Sequence, residues 1–323
     1  MSKPKLFITR RWPRSVEELA KEDFDVTLNE RDIPLSVEEM RHALKNYDAI
    51  SPTVTDILSA QAFDIENVSC KILCNYGVGY SHIDLPSAQK HGICVTNTPD
   101  VLSDCTADIA MTLMLMAARR AGEGERELRA KKWGGWRPTH MIGAKVTGKT
   151  LGIIGFGRIG QAMASRGHFG FGMKIKIFSR SQVSAELLER YNAEQFNSVE
   201  TLLRKSDFVS LHCPGGTSNR HLINASNLAQ ARPELVLINT ARGEVIDEVA
   251  LANALENKTI KAAGLDVFDG EPNINPNLMT APNLVMLPHL GSATRETREE
   301  MGFRALANCR AFFEGETPMD KVA

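Results

Sequence analysis

Three segments late in the chain carry polar residues at the ends of apolar runs: INTARGEVID (238–247), GLDVFDGEP (264–272) and LPHLGSAT (287–294). They hold Arg242, Glu271 and His289, a cation, a carboxylate and an imidazole. Hydride transfer to a carbonyl needs these three functions: an acid for the nascent alkoxide, a cation for an anionic substrate, and a group that tunes the acid. The Arg242 fork can hold a carbonyl oxygen and a carboxylate together. His289 is the candidate proton donor, because an unperturbed imidazole titrates near neutrality. Glu271, bonded to that imidazole, would favour its protonated form and fix its orientation. Taken singly, each has an ordinary reading as well: a structural histidine at a strand end, or a glutamate in a turn before Pro272.

A second group of residues binds rather than reacts. TLGIIGFGRIGQAMASR places Gly155, Gly157 and Gly160 in GxGxxG spacing, directly after an apolar strand and before a small-residue helix. Gly155 would permit the sharp turn, Gly157 would let the backbone approach a pyrophosphate, and Gly160 would allow close helix–strand packing. The helix start at Arg158 and Ile159 then offers N–H groups and a partial positive charge to phosphates. The next strand ends in Phe178-Ser179-Arg180-Ser181, where NAD sites usually carry Asp or Glu. Arg180 could pair with a 2′-phosphate while Ser179 and Ser181 donate hydrogen bonds, so NADP(H) is the preferred cofactor and NAD(H) the alternative.

The elements that must position these residues are alternating strands and helices, the pattern of parallel α/β sheets. Strands are expected at 5–9, 24–28, 47–51, 71–75 and 93–97, with helices near 16–22, 36–44 and 84–92. One long helix is expected from 103 to about 132, apolar first and charged later, as an interdomain or subunit-contact element. Six further strands follow at 150–155, 174–179, 208–213, 235–240, 262–268 and 284–289, a full dinucleotide domain. A last helix, roughly 294–314, has no strand to feed and is expected to return to the first domain. The fold class is α/β: two doubly wound parallel-sheet domains, a Rossmann dinucleotide-binding domain (102–290) inserted into a flavodoxin-like substrate-binding domain (1–101 and 291–323).

Composition narrows the classes. The 323 residues carry 38 Lys and Arg against 39 Asp and Glu, so no global field recruits nucleic acid or an anionic membrane. No apolar run reaches the roughly 18–20 residues of a membrane span, and MSKPKLFITRRWP lacks the features of a secretory signal. A cytoplasmic address is expected. The six cysteines (70, 74, 94, 105, 213, 309) form no CxxC pair and read as buried thiols, so no metal site is expected.

From INTARG through DVFDGEP to PHLGSAT the chain resembles the D-isomer-specific 2-hydroxyacid dehydrogenases. The resemblance extends to NYGVGYSHID (75–84), NTPDVLSDCTADIAM (97–111) and LGIIGFGRIGQAMA (151–164). It implies that Arg242, Glu271 and His289 are the catalytic set, with Arg242 and His289 also touching substrate. It also implies that backbone at Val78 and Gly79 binds the substrate carboxylate. On the cofactor side it implies Asp266 at the nicotinamide carboxamide, with Thr106, Cys213, Pro214, Thr240 and Ala241 as further contacts. Within the family the chain looks like the glyoxylate/hydroxypyruvate reductases, where Trp136 would be offered across a homodimer to the neighbour's pocket; an ordinary interface aromatic is the other reading of Trp136. GGTSNRHLI (215–223) departs from the family by lacking leucine-threonine after the proline.

The expected reaction is reduction of a small 2-oxo acid to its D-2-hydroxy acid. Other 2-hydroxy acids (D-lactate, glycerate, phosphoglycerate) remain open. A phosphorylated one is disfavoured because 51–56 and 75–84 contain no Arg or Lys. A cofactor-sensing corepressor is the reading from another class, opposed by the complete Arg–Glu–His set.

Overall fold

The computed structural model describes residues 2–323, which divide into two compact units: the segment ending at Leu102 together with Ala293–Ala323, and Ser103–Ser292.

In the first unit, strands β1 (Lys5–Ile8), β2 (Asp25–Leu28), β3 (Ala49–Ser51), β4 (Ile72–Cys74) and β5 (Cys94–Thr96) form a parallel sheet of order β2-β1-β3-β4-β5. Helices α1 (Arg14–Asp23), α2 (Val37–Asn46) and α3 (Leu85–Lys90) connect them. This is the flavodoxin-like order. Local chemistry sets the helix starts. At α2, Ser36 Oγ accepts from Glu39 N while Glu39 accepts from Ser36 N, a capping box. Asp84 caps α3 through Ser87 N at 2.9 Å. Ile50, Leu73 and Val95 alternate onto one core face with Met40, Leu44 and Phe63. The closing helix Arg295–Phe313 packs on α1 and β4, so the last segment does return to the first unit.

The second unit holds the remaining elements. Helices α4 (Ser103–Arg119) and α5 (Ala121–Arg129) precede β6 (Thr150–Ile154), α6 (Arg158–Ser165), β7 (Lys174–Phe178), α7 (Ala185–Arg190), β8 (Glu194–Phe196) and α8 (Val199–Lys205). Then follow β9 (Phe208–Leu211), α9 (Ala225–Leu228), β10 (Val236–Asn239), α10 (Glu248–Glu256), β11 (Ala262–Leu265), α11 (Pro276–Thr280) and β12 (Leu284–Met286). The strands are parallel, in order β12-β11-β10-β9-β6-β7-β8. The arrangement is doubly wound, with β6 and β9 flanking the point where the order reverses. Alternate residues face two cores: Ile154, Leu211, Leu237 and Leu265 on one side, Leu151, Ile153, Phe208 and Ile238 on the other. Burial on both faces is why these strands read as unbroken apolar runs.

Two expectations are corrected. The long helix breaks at Arg120, whose φ of 55° is left-handed. There the returning chain takes the end of α4: Ala144 N donates to Ala118 O at 2.8 Å, and Gly143 packs directly on that carbonyl. The apolar half of the helix is a core element of its own unit, with Ala107, Ala110, Leu113 and Met114 buried, while no residue of α5 is. A seventh strand, β8, was not expected. Its three residues, Glu-Gln-Phe, give only one apolar side chain, and they lie at the sheet edge, where nothing selects an apolar run.

Candidate active site

The glycine turn follows β6 directly. Gly155 has φ of 90°, and a Cβ on it would stand 2.6 Å from Cys213 N, so the turn lies against the backbone that follows β9. A Cβ on Gly160 would meet Gly155 O at 2.2 Å, which fixes how closely α6 approaches the turn. Gly157 differs: a Cβ there would meet nothing within 4 Å. No side chain caps α6, which leaves the N–H groups of Ile159 and Gly160 and the positive end of the helix for an anion. Thr240 Oγ1 is buried without a hydrogen-bond partner among the described residues. An open glycine face, an uncapped helix and an unpartnered hydroxyl fit a bound dinucleotide. Gly157→Val is therefore expected to weaken dinucleotide binding at least tenfold while leaving Tm nearly unchanged, because its side chain enters open space. Gly160→Val should instead lower stability by about 1–3 kcal/mol through overpacking. Cofactor titration and thermal melts separate the two; a large Tm loss in the Gly157 variant would contradict this account.

Arg242 follows β10. Asn239 Oδ1 accepts from Ala241 N and Asn239 Nδ2 donates to Arg242 O, both at 2.9 Å, so one buried amide shapes the turn. Part of Arg242 stays accessible, but its guanidinium is enclosed: burial lowers it from its ordinary value, with Glu271 and Glu244 acting the other way. The hydrogen bond it makes is to Ala241 O at 2.7 Å; no carboxylate pairs with it within 4.0 Å among the described residues. A guanidinium in protein stays charged. An enclosed cation without an ion-pair partner suits an anion.

His289 and Glu271 are joined directly, Nδ1 to Oε2 at 2.8 Å. Glu271 Oε1 accepts from Phe268 N at 2.8 Å, which locks the carboxylate. Burial would raise the Glu271 carboxyl, but the His289 hydrogen bond and charge, the Phe268 amide and Arg242 together hold it below its ordinary value. With Nδ1 engaged, Nε2 is the ring nitrogen left to exchange a proton. His289 itself has φ of 54°, and its turn is held from beneath by Asp266: Asp266 O accepts from His289 N, and Oδ1 and Oδ2 accept from Leu290 N and Gly291 N at 2.7 and 2.8 Å. Both Asp266 oxygens are thus already engaged, so any carboxamide contact there uses a remaining lone pair. Burial still raises the Asp266 carboxyl, against those amides and the His289 charge. Thr106 of α4 lies beside Gly291.

The other expected cofactor residues gather around the two turns. Cys213 and Pro214 lead into a loop whose Gly216 N donates to Glu244 Oε1. His212, on the same segment, is held neutral by burial, pushed down to about 3, with Nε2 against Ser210 Oγ at 2.8 Å. Ser179 and Ser181 sit on a loop whose carbonyls accept from Gln195 Nε2 of β8 at 3.2 and 2.9 Å. Gln195 and Asn239 escaped the sequence reading, because a buried amide that shapes a neighbouring loop leaves no local pattern.

In the first unit, the 77–79 carbonyls are all occupied. Asn75 Nδ2 donates to Gly77 O and Gly79 O at 2.9 and 3.1 Å, and Asn97 Nδ2 donates to Val78 O at 2.8 Å. The N–H groups of Val78 and Gly79 have no acceptor among the described residues. Their unengaged N–H groups suit an anion, and the asparagine supports beneath them are ones sequence reading also missed. The 51–56 segment has no cation of its own, yet Arg10 reaches it from the end of β1, donating to Thr55 Oγ1 at 3.1 Å. Asp32, at 3.0 Å, offsets that charge.

Residues 111–291 match the family model for the D-isomer specific 2-hydroxyacid dehydrogenase, NAD binding domain. The chain belongs to the D-isomer specific 2-hydroxyacid dehydrogenases. This dehydrogenase is 42% identical to the glyoxylate reductase of Thermococcus litoralis, over 99% of this chain and 97% of that one. It is 38% identical to the glycerate dehydrogenase of Hyphomicrobium methylovorum, over 98% of each. Among solved structures it is similar to an NADPH-dependent glyoxylate/hydroxypyruvate reductase from Sinorhizobium meliloti in complex with NADP and malonate. That likeness has a TM-score of 0.88 and 32% identity, covering 100% of this chain and 97% of that one. The resemblance in the late motifs and the two-sheet α/β architecture are both borne out by these matches. Among the described residues of the dehydrogenase, no helix is long and apolar enough to cross a membrane, and no group of three or more His, Cys, Asp or Glu is placed to hold a metal ion.

Proposed function

We propose that this dehydrogenase reduces glyoxylate or hydroxypyruvate to the D-2-hydroxy acid, using NADPH in preference to NADH. The observation that carries the reading is the enclosed Arg242 guanidinium without a carboxylate partner, beside a His289–Glu271 pair joined at 2.8 Å. Arg242 takes the substrate carboxylate and polarises the neighbouring carbonyl with its fork of donors. His289 Nε2 gives its proton to the alkoxide oxygen and recovers one from solvent, while Glu271 keeps Nδ1 protonated throughout. Within the first unit, the backbone N–H groups of Val78 and Gly79 are donors suited to a carboxylate. When bound, the nicotinamide supplies the hydride that reduces C2.

Gly155, Gly157, Arg158, Ile159 and Gly160 cradle the pyrophosphate, and Arg180 with Ser179 and Ser181 takes the 2′-phosphate. No acidic side chain stands between Phe178 and Ser181, which favours NADP(H). The substrate-binding part is the first unit and the cofactor-binding part the second. We take the protein to be a cytoplasmic homodimer. The apolar residues Leu128, Trp133, Trp136 and Ile142 are exposed on one stretch of a single chain, Trp136 at 82%, which asks for a second surface. Six free cysteines suit a reducing compartment.

The test is a substrate panel of glyoxylate, hydroxypyruvate, pyruvate and phosphohydroxypyruvate with each cofactor. The expected result is highest kcat/KM for the first two with NADPH. Preference for the phosphorylated acid, or for NADH, would reject the corresponding part.

A further inference from the structure

We propose that Asn219 is a cofactor-specificity residue, which holds Arg180 in place while leaving the guanidinium charge uncompensated. This deepens the NADP(H) reading above and rests on it.

Asn219 lies in the loop after β9 that departs from the family pattern, and it is buried, 3% exposed. Its Oδ1 accepts from Arg180 Nη2 at 2.5 Å, and its Nδ2 donates to Pro214 O at 2.7 Å. Ser218 Oγ accepts from Nη1 and Nη2 of the same guanidinium, both at 3.4 Å. These partners are neutral, and no carboxylate pairs with Arg180 among the described residues. Burial pushes the Cys213 thiol up, to about 11, with a backbone hydrogen bond and then the Arg180 charge acting the other way. Arg180 is therefore turned toward the loop that begins at Cys213, and is not swinging free in solvent.

The physical consequence follows from what a guanidinium needs in order to select a dianion. It must be placed, since a long flexible side chain loses rotamer freedom on binding. It must also keep its charge, since a carboxylate in the same position would cancel the field that a 2′-phosphate feels. An amide meets both needs: it accepts a hydrogen bond and carries no charge. Its other end is tied to Pro214 O, so Asn219 couples the loop after β7 to the loop after β9. Gln195 fixes the backbone of the first loop. Arg180 is then set from two sides, its main chain by Gln195 and its tip by Asn219.

The test is the ratio of Kd values for NADPH and NADH, measured by fluorescence titration of the full-length protein. Wild type is compared with Arg180→Ala, Asn219→Ala and Asn219→Asp. Arg180→Ala should shift the ratio toward NADH at least tenfold. Asn219→Ala should shift it the same way about fivefold. Asn219→Asp, which keeps the acceptor but adds a negative charge, should shift it at least as far as Asn219→Ala. Adding Asn219→Ala to Arg180→Ala should bring little further change. If Arg180→Ala leaves the ratio unmoved, the NADP(H) reading itself fails. If Arg180→Ala moves it but both Asn219 variants keep the wild-type ratio, that reading stands and the role of Asn219 is overturned. Equal weakening for both cofactors in the Asn219 variants marks a loop-support role and overturns it as well.

Discussion

Replacing Arg242 with alanine is expected to lower kcat/KM for 2-oxo acid reduction by about 10³-fold or more, on the scale of losing a preorganised donor at a developing oxyanion. The loss should fall on kcat and KM together, because the same guanidinium serves the carboxylate in the ground state and the carbonyl oxygen in the transition state. Arg242→Lys should recover only a small part. It keeps a charge but loses the planar fork, and the Ala241 O contact at 2.7 Å that aims the guanidinium is set for that fork. The protein should remain folded, since Asn239 shapes the turn through the backbone of Ala241 and Arg242. Steady-state kinetics with thermal melts check this. An Arg242→Ala enzyme within tenfold of wild type would remove arginine from the substrate site.

The second large effect is at His289. His289→Asn should reduce kcat by about 10²–10⁴-fold, the usual worth of a positioned proton donor, with a smaller effect on KM. Glu271→Gln gives the complementary result. The imidazole remains, but the carboxylate that holds Nδ1 at 2.8 Å becomes an amide, so turnover should fall less than in His289→Asn. In a double variant the two effects should not add, because the pair acts as a unit. A His289→Asn enzyme with near-normal kcat would assign the proton to another group.

Much of this arrangement is legible in the sequence for physical reasons that apply residue by residue. The glycine turn is visible because each glycine answers a different steric demand. Gly155 needs a positive φ, Gly160 needs contact with Gly155 O, and Gly157 needs an open face. Strands β6, β9 and β10 are visible because burial on both faces makes them continuous apolar runs. Glu271 and His289 are visible because their motifs are short and local, although only the fold brings residues eighteen apart to 2.8 Å.

What was not legible depends on contacts between distant segments. Edge strand β8 has a single apolar residue, Phe196, too short a pattern to betray it, so the role of Gln195 stayed hidden with it. The break at Arg120 coincides with Gly143 and Ala144 returning onto Ala118 O, a contact from outside 103–132. Asn75, Asn97, Asn219 and Asn239 are amides that satisfy backbone carbonyls or aim neighbouring side chains. In sequence such residues look like ordinary loop polarity. Arg10 reaches the 51–56 loop from another strand, so counting cations within that loop could not find it.

The central claim is that Arg242, Glu271 and His289 serve the reduction of a small 2-oxo acid by NADPH to its D-2-hydroxy acid. The most direct measurement is analysis of the product formed from hydroxypyruvate and NADPH by the wild-type protein. The account predicts glycerate of the D configuration, formed in step with NADPH oxidation and abolished in His289→Asn. L-glycerate, or no NADPH oxidation with hydroxypyruvate or glyoxylate, would contradict it.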